Sequence, residues 1–462
     1  MKQEIKARTS ARIQSTKRSL FQRIARILTH RLFFDVLFML VQIAVLAVMI
    51  LAFSQYFTYF YGICILLTVL AVIAIIARPS HPDYKIAWIV PIMAFPVFGG
   101  LLYLLFGGVR LSKRTRKRME RLTELQQETM GDGEAVLAAL PDGEESVKAQ
   151  SRYIARASLF PPHLDTQTWY YPTGEALYAR MLTELEQAEH SIFLEYFIIH
   201  PGVMWDGILE ILERKAAQGV DVRVLYDDIG CLFTLPKHYA KTLREKGIAC
   251  KVFNPFRPVI SLRLNNRDHR KICVIDGHTA FTGGVNLADE YINEIERFGH
   301  WKDSAILLRG EAVQSFTLMF LQMWNLTEKE PRWDEALLPS PPVEAEGYVM
   351  PYCDCPLDDY KVGESVYMDI LNRAKDYVHI MTPYLILDNE METALKFAAQ
   401  RGVDVKLILP GIPDKKAAYA LAKSHYQYLT AAGVKLYEYT PGFVHAKIFA
   451  SDDVKAVVGT IN

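Results

Sequence analysis

Two stretches of the chain repeat the same spacing of polar residues. Each stretch reads His, any residue, Lys, four residues, Asp, six residues, Gly, two residues and Asn. The pattern brings two imidazoles, two ammonium groups and two side-chain amides into one protein, a set suited to displacement at phosphorus. The residues of the two copies are His269, Lys271, Asp276, Gly283 and Asn286, and then His445, Lys447, Asp452, Gly459 and Asn462.

The two histidines can divide the chemistry between them. One imidazole, kept neutral, can attack phosphorus and form a covalent intermediate. The other, protonated, can give its proton to the leaving alkoxide and later deprotonate the incoming alcohol. Lysine ammonium groups and asparagine amides can hold the non-bridging oxygens as charge builds up on them. No carboxylate cluster for Mg²⁺ or Ca²⁺ accompanies the pattern, and lysine is a poor metal ligand, so we expect no metal and no cofactor.

Strand geometry predicts which of these side chains share a pocket. DHRKICVIDG is typical of a buried strand, and side chains two positions apart on a strand share a face, so His269 and Lys271 point the same way. Asp276 and Asp452 lie an odd number of positions from their histidines and point away on a continuous strand. Both belong to the candidate catalytic set, and three roles stay open: supporting the site, orienting a histidine of the other half, or forming a turn at the strand end.

The part of the chain that follows the membrane region alternates strands with helices, and this order occurs twice. AAQGVDVRVLYDD in one half matches AAQRGVDVKLILPG in the other. The pattern predicts an α/β fold of two duplicated halves, each with a largely parallel sheet covered by helices on both faces. Two such halves can meet about a pseudo-twofold axis and share one active site. The predicted halves are residues 161–337 and 348–462, joined by a Pro-rich linker at 338–347.

The N-terminal part predicts a membrane region. Two apolar runs have the length that a bilayer crossing requires. A third contains prolines and glycines, and we expect a kinked re-entrant or interfacial hairpin there, with a third full span as the alternative. Basic residues flank the region on both sides, so an even number of crossings places the catalytic part in the cytoplasm. The segments are a basic stretch at 1–32, a membrane region at 33–108 with spans at 33–53 and 59–77 and the hairpin at 86–108, and a basic helical connector at 109–160.

Composition excludes several classes of protein. The chain has 52 basic and 52 acidic residues, a balance that argues against a nucleic-acid partner. The 6 cysteines follow no zinc-finger spacing and suggest no disulfide framework. Cys353 and Cys355, in YCDCP, leave two alternatives: a metal site, or ordinary loop cysteines that stay reduced in a cytosol.

The two copies of the pattern resemble the doubled HxKxxxxD signature, followed by Gly-x-x-Asn, of the phospholipase D superfamily. The resemblance covers roughly residues 165–462. Within the superfamily the chain is similar to the bacterial cardiolipin synthases, through WIVPIMAFPVFGGLLYLLFGG, TGGVNLADEYINE and MTPYLILDNEM. The resemblance implies a multi-pass phosphatidyltransferase of the bacterial inner membrane. Its partners would be the bilayer, phosphatidylglycerol and other phospholipids, and it would join two phosphatidylglycerols into cardiolipin and glycerol through a phosphatidyl-histidine.

The resemblance also implies roles for the repeated residues. His269 becomes the nucleophile and His445 the acid and base, although the two copies are symmetric in sequence and the reverse assignment stays open. Lys271, Lys447, Asn286 and Asn462 would bind the substrate phosphate. Neither the oligomeric state nor the acceptor alcohol follows from the sequence.

Two departures from the family pattern bear on activity. Gly284 stands where many relatives have Ser, whereas the second copy has Thr460. The first half continues well beyond Asn286 but the second stops at Asn462, so we expect a second half that is truncated at its C-terminus. Two alternatives to a synthase therefore stay open: a phospholipase D that releases phosphatidic acid, and an inactive, membrane-anchored lipid-binding fragment.

Overall fold

The chain divides into two compact units. The first comprises Met1–Arg110 with Phe256–Asn265, and the second comprises Leu111–Pro255 with Asn266–Asn462. The structure is a computed structural model. It describes residues 39–48, 57–78, 82–95, 103, 113–131, 133–140, 145–255, 267–328, 331, 333, 336–341, 343–354 and 360–461.

The first unit contains a pair of apolar helices. Helix α1 covers Phe57–Ile76 and helix α2 covers Pro82–Ala94. The two helices pack through Ile75 and Ile92, while most other side chains of α1 are exposed. Within the described ranges, Thr58–Ile76 is the one helix long and apolar enough to cross a membrane.

The other predicted membrane segments are described only in part. Of the span predicted at 33–53, Met39–Val48 is helical and the rest lies outside the described residues. The hairpin predicted at 86–108 begins inside α2, and this helix continues past Pro91, where we expected a bend. The other expected bend points fall in residues 96–102, outside the described part. With one candidate span in that part, the structure does not support the predicted multi-pass topology.

The segment predicted as a connector folds into helices that contact both halves of the second unit. Met119, from the first of these helices, lies in the core of the first half, and Ile154, from the last, lies in the core of the second half. The connector is therefore part of the packed structure. Its helices are α3 (Lys113–Met130), α4 (Glu134–Ala139) and α5 (Glu145–Ser158).

A seven-stranded mixed sheet forms the centre of the first half. Its strands are β1 (Thr166–Tyr171), β2 (Ser191–Tyr196), β3 (Asp221–Asp227), β4 (Ala249–Phe253), β5 (Lys271–Ile275), β6 (Thr279–Gly283) and, after the short β7 (His300–Lys302), β8 (Ala305–Gly310). The order is β1-β8-β6-β5-β2-β3-β4, and only β2, β3 and β4 pair in parallel. The expectation of a largely parallel sheet was wrong, because the short turn after β5 forces β6 to run back antiparallel.

Helices cover both faces of this sheet. On one face Met181 and Trp205 are fully buried, and on the other Phe320 stacks on Phe193 with ring centres 4.9 Å apart. Burial on both faces explains why the strands read as continuous apolar runs. The helices are α6 (Gly174–Glu186), α7 (Val203–Ala217), α8 (Tyr239–Glu245) and α9 (Val313–Asn325).

The second half repeats this arrangement. Its helices are α10 (Val362–Arg373), α11 (Asn389–Gln400) and α12 (Lys416–Ala431), and its strands are β9 (Tyr377–Met381), β10 (Asp404–Pro410), β11 (Lys435–Tyr439), β12 (Gly442–Val444), β13 (Ile448–Ser451) and β14 (Lys455–Val458). The sheet order β11-β10-β9-β13-β14 corresponds to β4-β3-β2-β5-β6 in the first half. The strand that follows each His-x-Lys therefore lies beside the first strand of a parallel triplet in both sheets.

A two-stranded parallel ladder joins the halves. Strand β7 of the first half pairs with β12 of the second, with Trp301 opposite Phe443. Directly beyond the ladder, the His445 N–H donates to the Lys302 carbonyl over 2.7 Å. Backbone hydrogen bonding thus fixes the register between Asp303, which follows β7, and His445, which follows β12.

The aspartates of the two motifs fasten equivalent turns at the far ends of their strands. The Asp276 carboxylate accepts hydrogen bonds from the backbone N–H groups of Glu189, His190 and Ser191, at 2.8, 2.7 and 2.7 Å. Asp452 accepts the corresponding three, from Lys375, Asp376 and Tyr377, at 2.8, 3.0 and 2.9 Å. Although burial opposes ionisation, these donors hold the pKa of Asp452 below its ordinary value. Each carboxylate ties the turn after its own strand to the start of the neighbouring one.

Replacing Asp452 with Ala removes three charge-assisted hydrogen bonds, and we expect the free energy of unfolding to fall by about 2 kcal/mol. Urea denaturation followed by circular dichroism measures the change. The adjacent Asp453→Ala is the matched control, because Asp453 has the same left-handed backbone conformation. Its carboxylate accepts a hydrogen bond from the Tyr377 hydroxyl and does not hold the backbone at the start of β9. Equal losses in the two variants would show that backbone conformation, and not the carboxylate bonds, sets the stability of this turn.

Candidate active site

Both His-x-Lys segments lie at the same kind of sheet edge. Strand β5 runs antiparallel to β2, and Lys271 pairs with Tyr196, the last residue of β2. In the second half Ile448, directly after Lys447, pairs with Met381 at the end of β9. The motifs therefore open onto the carboxyl ends of the parallel strands, where open α/β sheets place their ligand sites.

The two segments lie close enough to act on each other across the halves. His269 hydrogen-bonds to the backbone of Thr460 in the second half, and the charges of Lys447 and His445 lower its pKa. Lys271 and Lys447 likewise influence each other electrostatically. The structure thus brings together four of the predicted site residues, two from each half.

Both lysines are buried at 1% exposure. The Lys271 ammonium donates to the carbonyl of His269 over 2.7 Å, and Lys447 donates to the carbonyl of His445 in the same way. Burial, with Lys447 nearby, lowers the pKa of Lys271 well below its ordinary value. Burial lowers the pKa of Lys447 to about 7, although Asp303 opposes the shift. An anion between the lysines would offset the cost of holding two buried positive charges.

Asp303 holds His445, and the sequence alone did not reveal this residue. Its Oδ2 lies 2.8 Å from His445 Nδ1, and its Oδ1 accepts from the Ser304 N–H at 2.8 Å. The carboxylate is fully buried. Although burial opposes ionisation, His445 keeps the pKa of Asp303 below its ordinary value. With Nδ1 occupied, His445 is left to use Nε2 for chemistry. The one available signal was an acidic residue between two apolar strands, in HWKDSAILL.

The two histidines differ in their surroundings. Burial lowers the pKa of His269 to about 2, and the Lys271 and Lys447 ammonium groups act in the same direction. Burial lowers the pKa of His445 to about 4, with Lys447 acting in the same direction and the Asp303 carboxylate opposing it. Both imidazoles are therefore neutral at pH 7, and in the part of the chain that the structure describes it is His445 that hydrogen-bonds a buried carboxylate.

The asparagine of the first motif is engaged within the protein. Asn286 is 1% exposed, its Oδ1 accepts from the Ile198 N–H at 3.1 Å, and its Nδ2 donates to the Tyr291 hydroxyl at 2.7 Å. It thereby positions the loop that follows β2, beside His269. Its predicted contact with a phosphate stays a prediction. Asn462 lies outside the described residues.

The motif aspartates are not beside the histidines. Asp276 and Asp452 lie at the opposite ends of β5 and β13, bound to the backbone amides described above. Of the roles left open by the sequence, their contacts fit support of the architecture and a turn at the strand end. The carboxylate that hydrogen-bonds His445 is Asp303.

Gly284 has a steric reason to lack a side chain. A Cβ built there would lie 2.0 Å from Asp303 Oδ1 and 2.9 Å from the carbonyl oxygen of His445. A serine at 284 would therefore displace the Asp303 carboxylate from His445. Glycine at position 284, where many relatives have Ser, therefore leaves the space that the Asp303–His445 contact needs.

A cavity of about 970 Å³ opens beside the first motif. His269, Lys271 and Thr460 lie at its wall, and the rest of the wall combines apolar side chains of both halves with charged ones such as Arg270 and Lys455. No cluster of three His, Cys, Asp or Glu side chains suited to a metal occurs in the described part of the chain. Cys353 contacts the Arg270 guanidinium at 3.4 Å, and Cys355 lies outside the described residues.

Binding of a small dianion tests the charge state of this site. Because Lys447 has a pKa of about 7, it loses its proton as the pH rises above 7, and anion binding must then take up a proton. We expect the affinity for tungstate, measured by calorimetry, to fall at least about tenfold between pH 7 and pH 9. Lys447→Met should bind weakly with a smaller pH dependence, while the surface control Lys423→Met should keep the full dependence. An affinity that is flat with pH in the unsubstituted protein would contradict the assignment.

Models of two protein families match the chain. Residues 181–324 and 367–462 match the family described as "Cardiolipin synthase, PLD-like domain". Residues 66–108 match the family described as "Phospholipase_D-nuclease N-terminal". The first match covers most of both halves and contains both His-x-Lys segments.

Several known proteins are similar to the chain. A Streptococcus mutans protein described as uncharacterized is 52% identical over 379 residues, which are 82% of this chain and 82% of its own length. A cardiolipin synthase of Geobacillus thermodenitrificans is 36% identical over 386 residues, 82% of this chain and 76% of its own length. Among solved structures, a phosphatidylserine synthase of Haemophilus influenzae aligns over 66% of this chain and 81% of its own, with 15% identity and a TM-score of 0.47.

Proposed function

Because the chain belongs to the cardiolipin synthase family of phospholipase D-like proteins, we propose that it is a membrane phosphatidyltransferase that condenses two phosphatidylglycerols into cardiolipin and glycerol. The observation that carries the proposal is the meeting of two His-x-Lys segments, one of whose histidines is hydrogen-bonded to a buried carboxylate. The equivalent strand orders of the two sheets support a pseudo-twofold arrangement in which each half supplies one histidine and one lysine.

In the first step the donor phosphatidylglycerol binds with its phosphate between Lys271 and Lys447. The Nε2 lone pair of His269 attacks phosphorus and forms a P–N bond. The P–O bond to the glycerol headgroup breaks, and His445 in its imidazolium form gives a proton to the departing oxygen. Glycerol leaves, and the phosphatidyl group remains on His269.

The substrate itself can help to protonate His445. Without substrate, burial and the nearby lysine charges lower the pKa of His445. A phosphodiester anion between the lysines offsets those charges, and Asp303 then stabilises the imidazolium. Protonation of His445, which the leaving group needs, is therefore favoured when substrate is bound.

In the second step a hydroxyl of a second phosphatidylglycerol attacks the same phosphorus. His445, now neutral, takes the proton of that hydroxyl, the P–N bond to His269 breaks, and cardiolipin is released. His269 returns to its neutral form and His445 to its protonated form. Lysine ammonium groups bind the non-bridging oxygens in both steps, and in the proposal Asn286 and Asn462 assist them.

The surroundings of the histidines support this division of roles. A nucleophile needs a free lone pair, and His269, whose pKa is lowered to about 2 by burial and by the lysines, keeps one at every physiological pH. An acid and base needs a partner for its charged form, and Asp303 is that partner for His445.

Three features support a lipid as the substrate. Apolar side chains form much of the cavity beside His269, Thr58–Ile76 is a candidate membrane helix, and the overall charge of zero does not favour a polyanionic nucleic acid. In the proposal the protein resides in the bacterial cell membrane with the second unit in the cytoplasm. The bilayer then supplies both the donor and the acceptor lipid.

Product analysis tests the proposed reaction. The purified protein, supplied in detergent with phosphatidylglycerol as the sole lipid and an excess of chelator, should yield cardiolipin and free glycerol in equal amounts. His269→Ala should lower the rate at least about 10³-fold because no phosphatidyl intermediate forms, while His190→Ala, with an exposed side chain at the opposite sheet edge, should keep the rate. Mass spectrometry identifies the lipids. Phosphatidic acid without cardiolipin would show that the protein is a hydrolase and not a synthase. The absence of any turnover would support the inactive, lipid-binding alternative.

A further inference from the structure

A polar cluster beside the catalytic residues has no role in the mechanism above. Tyr384 follows β9, and Asp414 and Lys415 follow β10, so all three lie at the sheet edge that holds the second motif. The Tyr384 hydroxyl donates to Asp414 Oδ2 over 2.6 Å. The Lys415 ammonium lies 4.6 Å from the centre of the Tyr384 ring and 4.0 Å from Asp414 Oδ2. A cation, a carboxylate and a phenol are thus held together.

The cluster lies near the lysine that binds the reacting phosphate. Asp414 and Lys415 both act electrostatically on Lys447, in opposite directions. Tyr384 belongs to the second half but packs against the core of the first, so the cluster lies where the halves meet. Asp414 keeps 18% of its side-chain surface exposed and Lys415 keeps 66%, so a ligand at the catalytic edge can reach both groups.

The proposed transfer needs such a cluster. Lys271 and Lys447 are taken up by the phosphate that reacts, whereas the acceptor lipid brings a second phosphodiester anion together with glycerol hydroxyls. Three other cations of the first half are engaged within the protein: Arg267 contacts Asp227, Arg270 lies 3.7 Å from Glu195, and Lys302 donates to the Pro172 carbonyl. Lys415 meets its carboxylate only at 4.0 Å and projects into solvent.

We propose that Tyr384, Asp414 and Lys415 form a binding subsite for the phosphoglycerol headgroup of the acceptor lipid. The Asp414 carboxylate accepts hydrogen bonds from glycerol hydroxyls and brings one of them toward His445. The Lys415 ammonium binds the phosphodiester anion of the acceptor, and Tyr384 fixes the carboxylate between them. This inference rests on the proposed function, because it names the subsite for the second substrate of that reaction.

Two reactions of the phosphatidyl-histidine separate this subsite from the chemistry. Transfer to a second phosphatidylglycerol gives cardiolipin and uses an acceptor phosphate. Transfer to free glycerol regenerates phosphatidylglycerol, breaking the same P–N bond and forming the same kind of P–O bond, but uses no acceptor phosphate. Deuterated glycerol supplied with phosphatidylglycerol in detergent therefore reports the chemistry, and cardiolipin formed in the same sample reports recognition of the second lipid.

At low phosphatidylglycerol content, Lys415→Met should lower the ratio of cardiolipin formed to labelled glycerol incorporated by about tenfold, which corresponds to the loss of one charged hydrogen bond. Lys416→Met is the matched control, since it removes the same charge from the next, exposed position and should leave the ratio unchanged. Asp414→Asn should lower both products together, because both acceptors offer glycerol hydroxyls.

The outcomes distinguish the two proposals. A ratio that falls in Lys415→Met alone supports the subsite. An unchanged ratio in Lys415→Met, or an equal fall in Lys416→Met, overturns the subsite while the exchange of labelled glycerol still supports the phosphatidyl-histidine chemistry. If the unsubstituted protein forms neither labelled phosphatidylglycerol nor cardiolipin, the proposed function itself is overturned, and the subsite with it.

Discussion

The hydrogen bond between Asp303 and His445 crosses from the first half of the catalytic unit to the second, and the arrangement of the site depends on it. The ladder of β7 with β12 brings the two residues into register, and the His445 N–H donates to the Lys302 carbonyl. Gly284 leaves room for the carboxylate. A buried charge of this kind is stable only when it is paired. Its pairing with an imidazole therefore links the folding of the interface to the chemistry of the site.

Burial sets the charge state of the remaining groups. Two lysines at 1% exposure, the buried His445 and the half-buried His269 cannot all carry a proton in so small a volume, and the pKa shifts of all four are downward with burial as the first cause. Burial thus disfavours the protonated forms of these groups, and a bound phosphodiester anion would favour them. This behaviour couples substrate binding to the protonation of the acid that the reaction needs. It also favours an anionic substrate over a neutral one.

Local periodicity was enough to predict part of this structure. The duplicated segments predicted two similar α/β halves, which the matching strand orders show. The direction of the strands could not be predicted in this way, because an apolar run reads the same in parallel and antiparallel pairs. The short turn after β5, which decides that direction, was visible only as an Asp-Gly pair.

Asp303 escaped prediction for a different reason. It is separated from His445 by 142 positions and meets it only through pairing between the halves, which no local pattern records. The motif aspartates drew attention instead because they recur at fixed spacing, yet their hydrogen bonds are to backbone amides at the far ends of the strands. Recurrence identified residues that the duplicated fold requires. Asp303 follows β7 of the first half and reaches His445 only through the ladder between the halves.

Trapping the covalent intermediate tests the central claim most directly. Rapid quench in denaturant at mildly alkaline pH, where a P–N bond to histidine survives, during turnover of phosphatidylglycerol, followed by proteolysis and mass spectrometry, locates the phosphatidyl group on a peptide. The account predicts an adduct on His269 and none on His445, because the carboxylate beside His445 equips it to carry protons. An adduct on His445 would reverse the two roles, and turnover without an adduct on either histidine would exclude the two-step mechanism.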